Sequence, residues 1–189
     1  GNLLQGDLGR SFALNRPVLD EVMERFSATL ILAGAALLLC SVFGLLAGIV
    51  SAVRQFGWAD RIITLFVLIG ISTPSFFLGL MLILGFAVNL RWFPATGFTP
   101  ISVSPWDWLR SVILPSVALG LSSSAAIARQ VRSAMVGVLQ QDYIRAARAQ
   151  GLSSRRVIVR HALTNAMVPV VAVLSFQITV LLGGALIVE

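Results

Sequence analysis

The side chains that could carry out chemistry are too scattered in this sequence to form a reactive centre. The single histidine, His161, has no cysteine, aspartate or glutamate cluster nearby, whereas a metal site needs several such ligands converging. The single cysteine, Cys40, lies inside an apolar run. It reads as a small packed hydrophobe and has no internal disulfide partner. Every basic residue is an arginine, so the lysine of a phosphate-binding P-loop is absent. The expectation is no catalytic residue, no metal ligand and no resident cofactor. What remains is of two kinds: polar residues inside apolar runs, and an arginine-rich stretch between two such runs.

The first kind comprises Ser72, Thr73 and Ser75 around Pro74, together with Gln177. Pro74 lacks an N–H and should kink or break its helix, freeing carbonyls beside the three hydroxyls. These four polar residues are the candidates for lining a pathway; an interhelical hydrogen bond is the competing reading for Gln177. Ser122, Ser123 and Ser124 are read as packing residues, and Asn165 with Pro169 as shaping the entry to the last apolar run.

The elements that must position these residues follow from composition. The chain has 189 residues, 57% hydrophobic and 12% charged, with a mean hydropathy of +0.91. Soluble domains carry about a quarter charged residues, so a water-soluble enzyme is excluded, as is a disordered chain. The formal charge of +6 does not point to nucleic acid, because the apolar residues form long uninterrupted runs. No charge falls between Arg25 and Arg54, Arg61 and Arg91, Arg110 and Arg129, or Arg160 and Glu189. About 20 apolar residues suffice to cross a bilayer as a helix. The runs predict an all-α, multi-pass membrane bundle with transmembrane helices at 27–51, 63–89, 112–131 and 166–187. The third is the weakest, being short and carrying Pro115 and the serine run. Small residues (Gly34-Ala35-Ala36, Gly44, Gly48, Gly70, Gly79, Gly183, Gly184) should allow close helix packing.

Orientation follows from arginine. Segments 52–62 and 132–165 hold Arg54, Arg61, Arg132, Arg145, Arg148, Arg155, Arg156 and Arg160, with Arg129 at the boundary. The opposite side mixes Arg10, Arg16, Arg25, Arg91 and Arg110 with Asp7, Asp20, Glu21, Glu24 and Asp107. Segment 132–165 is therefore expected in the cytoplasm of a bacterial or archaeal cell, the protein sitting in the plasma (inner) membrane. Trp92, Trp106 and Trp108 suit the outer interface. Segment 1–26 is expected outside, with residues 16–26 forming a short interfacial helix whose Val18, Val22 and Phe26 share a face.

Segment 132–165 is longer than a connector needs. Residues 140–150 read as a helix, Gly151 as its left-handed C-terminal cap, and Ser153 or Ser154 as the cap of a second helix running through Val157, Ile158 and His161. Tyr143, Ala146, Ala147 and Gln150 share a face, flat in its middle, suited to docking in a groove of another protein. An interfacial helix serving topology and lipid contact is the plainer alternative.

The run from Asp142 to Leu152, followed by Arg160-His161-Ala162-Leu163-Thr164-Asn165-Ala166-Met167-Val168-Pro169, resembles the EAA loop of binding-protein-dependent ABC importer permeases. It is similar in particular to the dipeptide/oligopeptide/nickel subfamily. Ala146, Ala147, Gly151 and Leu163 match the general pattern. Arg145, His161 and Thr164 replace its Glu, Ile and Pro, departures that the peptide subfamily commonly shares, with a later proline matched by Pro169. Further matching stretches occur in order at Gly6–Ser11, Arg16–Val18, Ser72–Gly79, Ile113–Pro115, Arg129 with Arg132, and Gly183–Glu189.

The resemblance implies the transmembrane domain of a type I ATP-driven importer, probed from outside by an extracytoplasmic substrate-binding protein. It implies pairing with a second, related permease and two ATP-binding subunits that hold ATP and magnesium, this chain having no catalytic site. Asp142, Tyr143, Ala146, Ala147, Gln150 and Gly151 would contact an ATPase. It also implies a further span before Gly1 and another after Glu189, since both ends look cut. Peptides are the cargo the subfamily suggests; nickel and glutathione are carried by similar permeases. Two other classes stay open: a secondary transporter or channel fragment, disfavoured by spans lacking ionisable residues, and a non-transporting scaffold that recruits a cytoplasmic protein.

Overall fold

The computed structural model describes Gly9 and residues 17–188. Of the outer segment, residues 1–8 and 10–16 lie outside the described residues, as does Glu189, so the resemblances at Gly6–Ser11 (Gly9 apart) and Arg16 have no structural counterpart here. Every regular element among the described residues is helical.

Helix α1 spans Val18–Val53 without a break. Of the separate interfacial helix expected over 16–26, residues 18–26 are instead the first turns of α1. Nothing between Phe26 and the apolar run stops the helix: Ser27 and Thr29 donate back to the carbonyls of Met23 and Arg25 at 2.9 and 3.0 Å. Used in this way, the hydroxyls do not cap a new helix. At 1.5 Å per residue, α1 is about 54 Å long, more than the roughly 30 Å hydrocarbon core needs.

The run 63–89 is two helices rather than one. Helix α2 (Trp58–Ser72) ends where Thr73 turns extended, and α3 (Ser75–Leu82) continues into a π-helical stretch, Ile83–Asn89. The two halves meet at 103°. Pro74 cannot donate and forces Thr73 out of the helical region. The described residues thus contain three long apolar helices, or four spans if the bent pair crosses once.

The third run is the least apolar of the three long spans but the most buried within the bundle. Helix α4 extends over Pro105–Leu139, well beyond 112–131 at both ends. Ser104 caps it, accepting from the Asp107 amide at 3.3 Å, and Pro105 occupies the first turn. At the other end Val131 and Met135 are fully buried. The apolar stripe therefore continues through Arg132, which belongs to the helix and not to the connecting loop. Pro115 sits inside α4 without ending it. Helix α5 is Asp142–Ala149; α6 (Ser154–Arg156) runs through a π-helical stretch, Val157–Leu163, into α7, Thr164–Val188.

Helix α4 is central, with α1, α2, α3 and α7 all packed on it. Its contact with α1 requires glycine. A Cβ on Gly44 would lie 2.7 Å from the Ile127 Cβ, and one on Gly48 would lie 2.6 Å from the Val131 Cβ and 2.7 Å from the Ala128 carbonyl oxygen. Small residues one turn apart let the backbones approach. Gly34 and Gly183 have open space instead, and their size serves no close contact here. Leu38, Phe43 and Leu46 of α1, Phe66 and Leu68 of α2 and Phe176 of α7 face outward, an arrangement stable in lipid and costly in water.

Candidate functional site

The chemistry concentrates at the end of α4 and in the short helix it carries. Helix α5 begins two residues after α4 ends. Asp142 sits in its first turn and Arg148 in its last, each opposite in sign to the nearby helix end. Asp142 and Arg145 form an exposed pair at 3.4 Å, which adds little stability. Gly151 has φ +81°, the left-handed turn expected of it. It lets the Leu152 amide turn back and donate to the Ala147 carbonyl at 3.3 Å. A Cβ at Gly151 would meet nothing within 4 Å, so the requirement for glycine is conformational and not steric.

The face of α5 that packs inward is not the one expected. Ile144 is fully buried and Ala147 is 8% exposed; both join the buried cluster that includes Met135, Val157 and Ala162. Tyr143 lies at the edge, its hydroxyl accepting from Asn165 Nδ2 at 2.9 Å, and the same amide donates to the His161 carbonyl at 2.8 Å. The grouping of Tyr143, Ala146, Ala147 and Gln150 as one docking face is therefore split: Ala147 seats the helix, while Ala146 and Gln150 are exposed. The free face consists of Asp142, Arg145, Ala146 and Ala149, at i, i+3, i+4 and i+7 spacing. Ile144, the one large aliphatic side chain of α5, is the signal that should have set the buried side.

The pathway candidates lie apart from this site. Ser72 is exposed and Ser75 half-buried on either side of the break. The Thr73 hydroxyl donates to the Ile69 carbonyl at 2.7 Å, closing the last turn of α2. Gln177 is buried and its Nε2 donates to the Ser123 carbonyl at 3.2 Å. It thus ties α7 to α4 through its amide nitrogen. The Ser122 hydroxyl donates to the Gly70 carbonyl at 3.4 Å, so the serine run joins α4 to both neighbours.

One cluster escaped the sequence reading. Asp60, in the first turn of α2, is 4% exposed. Its Oδ1 accepts from Arg132 Nε of α4 at 2.7 Å and its Oδ2 from Nη2 at 2.8 Å. The Ser51 hydroxyl of α1 also donates to Oδ1, and the Phe56 amide donates to Oδ2 at 2.8 Å. That last bond holds Phe56 at φ +64° in the α1–α2 turn. Every lone pair of the carboxylate is engaged, which makes burial of the charge tolerable. Loss of one partner of such a pair costs about 3–5 kcal/mol when fully buried; with the Arg132 side chain 32% exposed, the lower end applies. The available signal was that Asp60 is the sole acid between Glu24 and Asp107, bordering an apolar run and so in need of a partner.

Residues 44–189 match the family of binding-protein-dependent transport system inner membrane components. The chain belongs to this family. Its fold is that of an ABC importer transmembrane domain, and its place is the inner membrane. A protein named as a peptide transport system permease from Brucella abortus (strain 2308) is 40% identical over 188 residues, covering all of this chain and 60% of the relative. Two glutathione transport system permeases, from Escherichia coli O6:H1 and strain K12, are 43% and 42% identical over the same length, again covering all of this chain and 59% of each relative. The chain thus spans about three-fifths of the length of these relatives.

Proposed function

We propose that this chain forms part of the translocation pathway of an ATP-driven, binding-protein-dependent importer of peptides, and that α5 is its contact with an ATPase. Three facts support the reading: the family, the names of the relatives, and the seat of α5. The seat is the observation that carries it. A short helix is clamped on one side by Ile144, Ala147 and Tyr143 while its other side is free and carries the small side chains of Ala146 and Ala149. A flat exposed face on a rigidly held helix suits insertion into a partner's groove. Counting the bent α2–α3 pair as one crossing keeps α5 on the arginine-rich, cytoplasmic side.

In this reading α4 is a lever. ATP-driven closure of two ATPase subunits displaces α5, and α4 transmits the displacement to the bundle, which moves between inward-open and outward-open states. ATP and magnesium reside on the ATPases, and this chain contributes no catalytic group. A second, related permease completes the pathway, and an extracytoplasmic binding protein delivers the substrate. Glutathione, itself a small peptide, falls within the same cargo class. Ser72, Thr73 and Ser75 remain the pathway candidates.

The test is copurification of the complete transporter from membranes. Ala146→Glu places a charge on the free face of α5, where a surface substitution changes stability by no more than about 0.5 kcal/mol. The expected result is an intact permease pair that has lost its ATPases and its peptide uptake. Retention of ATPases at the wild-type ratio would remove α5 from the contact.

A further inference from the structure

Asp60, Ser51 and Arg132 join three helices at one buried point. We propose that Asp60 and Arg132 are positioning residues for coupling: their pair fixes the angle at which α4 carries α5, so that force applied at α5 moves α1, α2 and α4 as one body. This rests on the importer reading.

Geometry distinguishes this from mere cohesion. The carboxylate takes both arms of the Arg132 fork, at 2.7 and 2.8 Å. A two-pronged contact admits one relative orientation of its two elements, which an apolar contact does not. The third strand of the knot comes from α1, whose Ser51 hydroxyl donates to Asp60 and accepts from Arg132 Nε at 3.1 Å. The fourth comes from the turn itself, through the Phe56 amide. Arg132 stands on α4 shortly before that helix ends at Leu139 and hands over to α5. Stability alone does not call for charges here, because buried ion pairs are often replaceable by apolar side chains without loss. What apolar side chains do not reproduce is the fixed angle. The arrangement also accounts for Arg132 staying within the helix and for an acid placed at the start of an apolar run.

The experiment uses the complete transporter in proteoliposomes with its binding protein, measuring peptide imported per ATP hydrolysed. Two variants separate angle from cohesion. Arg132→Lys keeps the charge and loses the fork. The triple variant Ser51→Ala, Asp60→Leu, Arg132→Met replaces the knot by apolar packing. Both should assemble with ATPases and import about fivefold less peptide per ATP, or worse, the size of a modest coupling free energy. The peptide concentration giving half-maximal uptake should not move. An unchanged peptide-to-ATP ratio in either assembled variant would overturn the proposal. So would failure of both variants to assemble, which would assign the knot to stability. A wild-type preparation that contains no ATPase would instead sink the importer reading itself, leaving the two failures distinguishable.

Discussion

The inner corner of the molecule and the Pro74 break are built on opposite principles. At the corner, every lone pair of Asp60 is taken by Arg132, Ser51 and the Phe56 amide, and Ile144 and Ala147 seat α5 on the Val157–Leu163 stretch. At the break, two helices meet at 103° with Ser72 exposed and one hydroxyl, Thr73, closing the turn. Both occur beside apolar runs, and both involve few residues. The difference is in what a displacement would cost. Moving the corner means unpairing a buried charge; bending further at Pro74 means rotating about a residue that has no N–H to tie it into α2. A body that transmits force needs the first kind of joint, and a pathway that opens needs the second.

That contrast is most sharply tested by Ala147→Glu. A carboxylate at this buried position faces the cluster of Ile144, Val157 and Ala162 with no partner among them. The expected cost is several kcal/mol, read as loss of folded permease in detergent thermal unfolding. An unchanged unfolding midpoint would show that α5 is not seated. Paired with Ala146→Glu, which should leave the midpoint alone, it asks whether neighbouring alanines have the opposite roles assigned to them.

Pro74→Ala addresses the other region. Alanine restores a donor and relieves the constraint on Thr73, so α2 and α3 should straighten toward one helix. Peptide uptake should fall about tenfold, equivalent to about 1.4 kcal/mol, while ATPase copurification stays at the wild-type ratio. Loss of the ATPases from this variant would mean that the break also supports the corner, and the contrast between the two regions would fail.

Gln177→Leu should have the smallest effect. It deletes one interhelical hydrogen bond to a carbonyl, worth about 0.6 kcal/mol in a membrane helix bundle. Uptake within about threefold of wild type is expected on that figure. A much larger loss of uptake without loss of folded protein would return Gln177 to the pathway.

These regions were unequally legible. The break could be read at Pro74, because proline acts on its own backbone and on the residue before it. Gly151 was legible for the same reason: a left-handed turn is a local demand. The spans were visible as uncharged runs, but their ends were not. Helix α1 absorbs the expected interfacial helix, and α4 outruns 112–131 at both ends, because helix ends depend on caps and packing partners that hydropathy does not report. Ala147 was placed on the free side of α5 because Ile144, which carries the burial and draws Ala147 inward with it, was left out. The Asp60–Arg132 pair spans 72 positions, a separation no local period encodes.

The sequence by itself determined the medium and the helical class. Uncharged runs long enough to cross a bilayer leave the backbone no alternative to helix. It also determined where the backbone breaks or turns, at Pro74 and Gly151, since those constraints are covalent. Only the tertiary structure decided which side of α5 is free, that Gln177 ties helix to helix, and that a lone aspartate meets an arginine from a distant helix. Each of those depends on which surfaces meet when α4 is enclosed by its neighbours, and that is a property of the packed bundle.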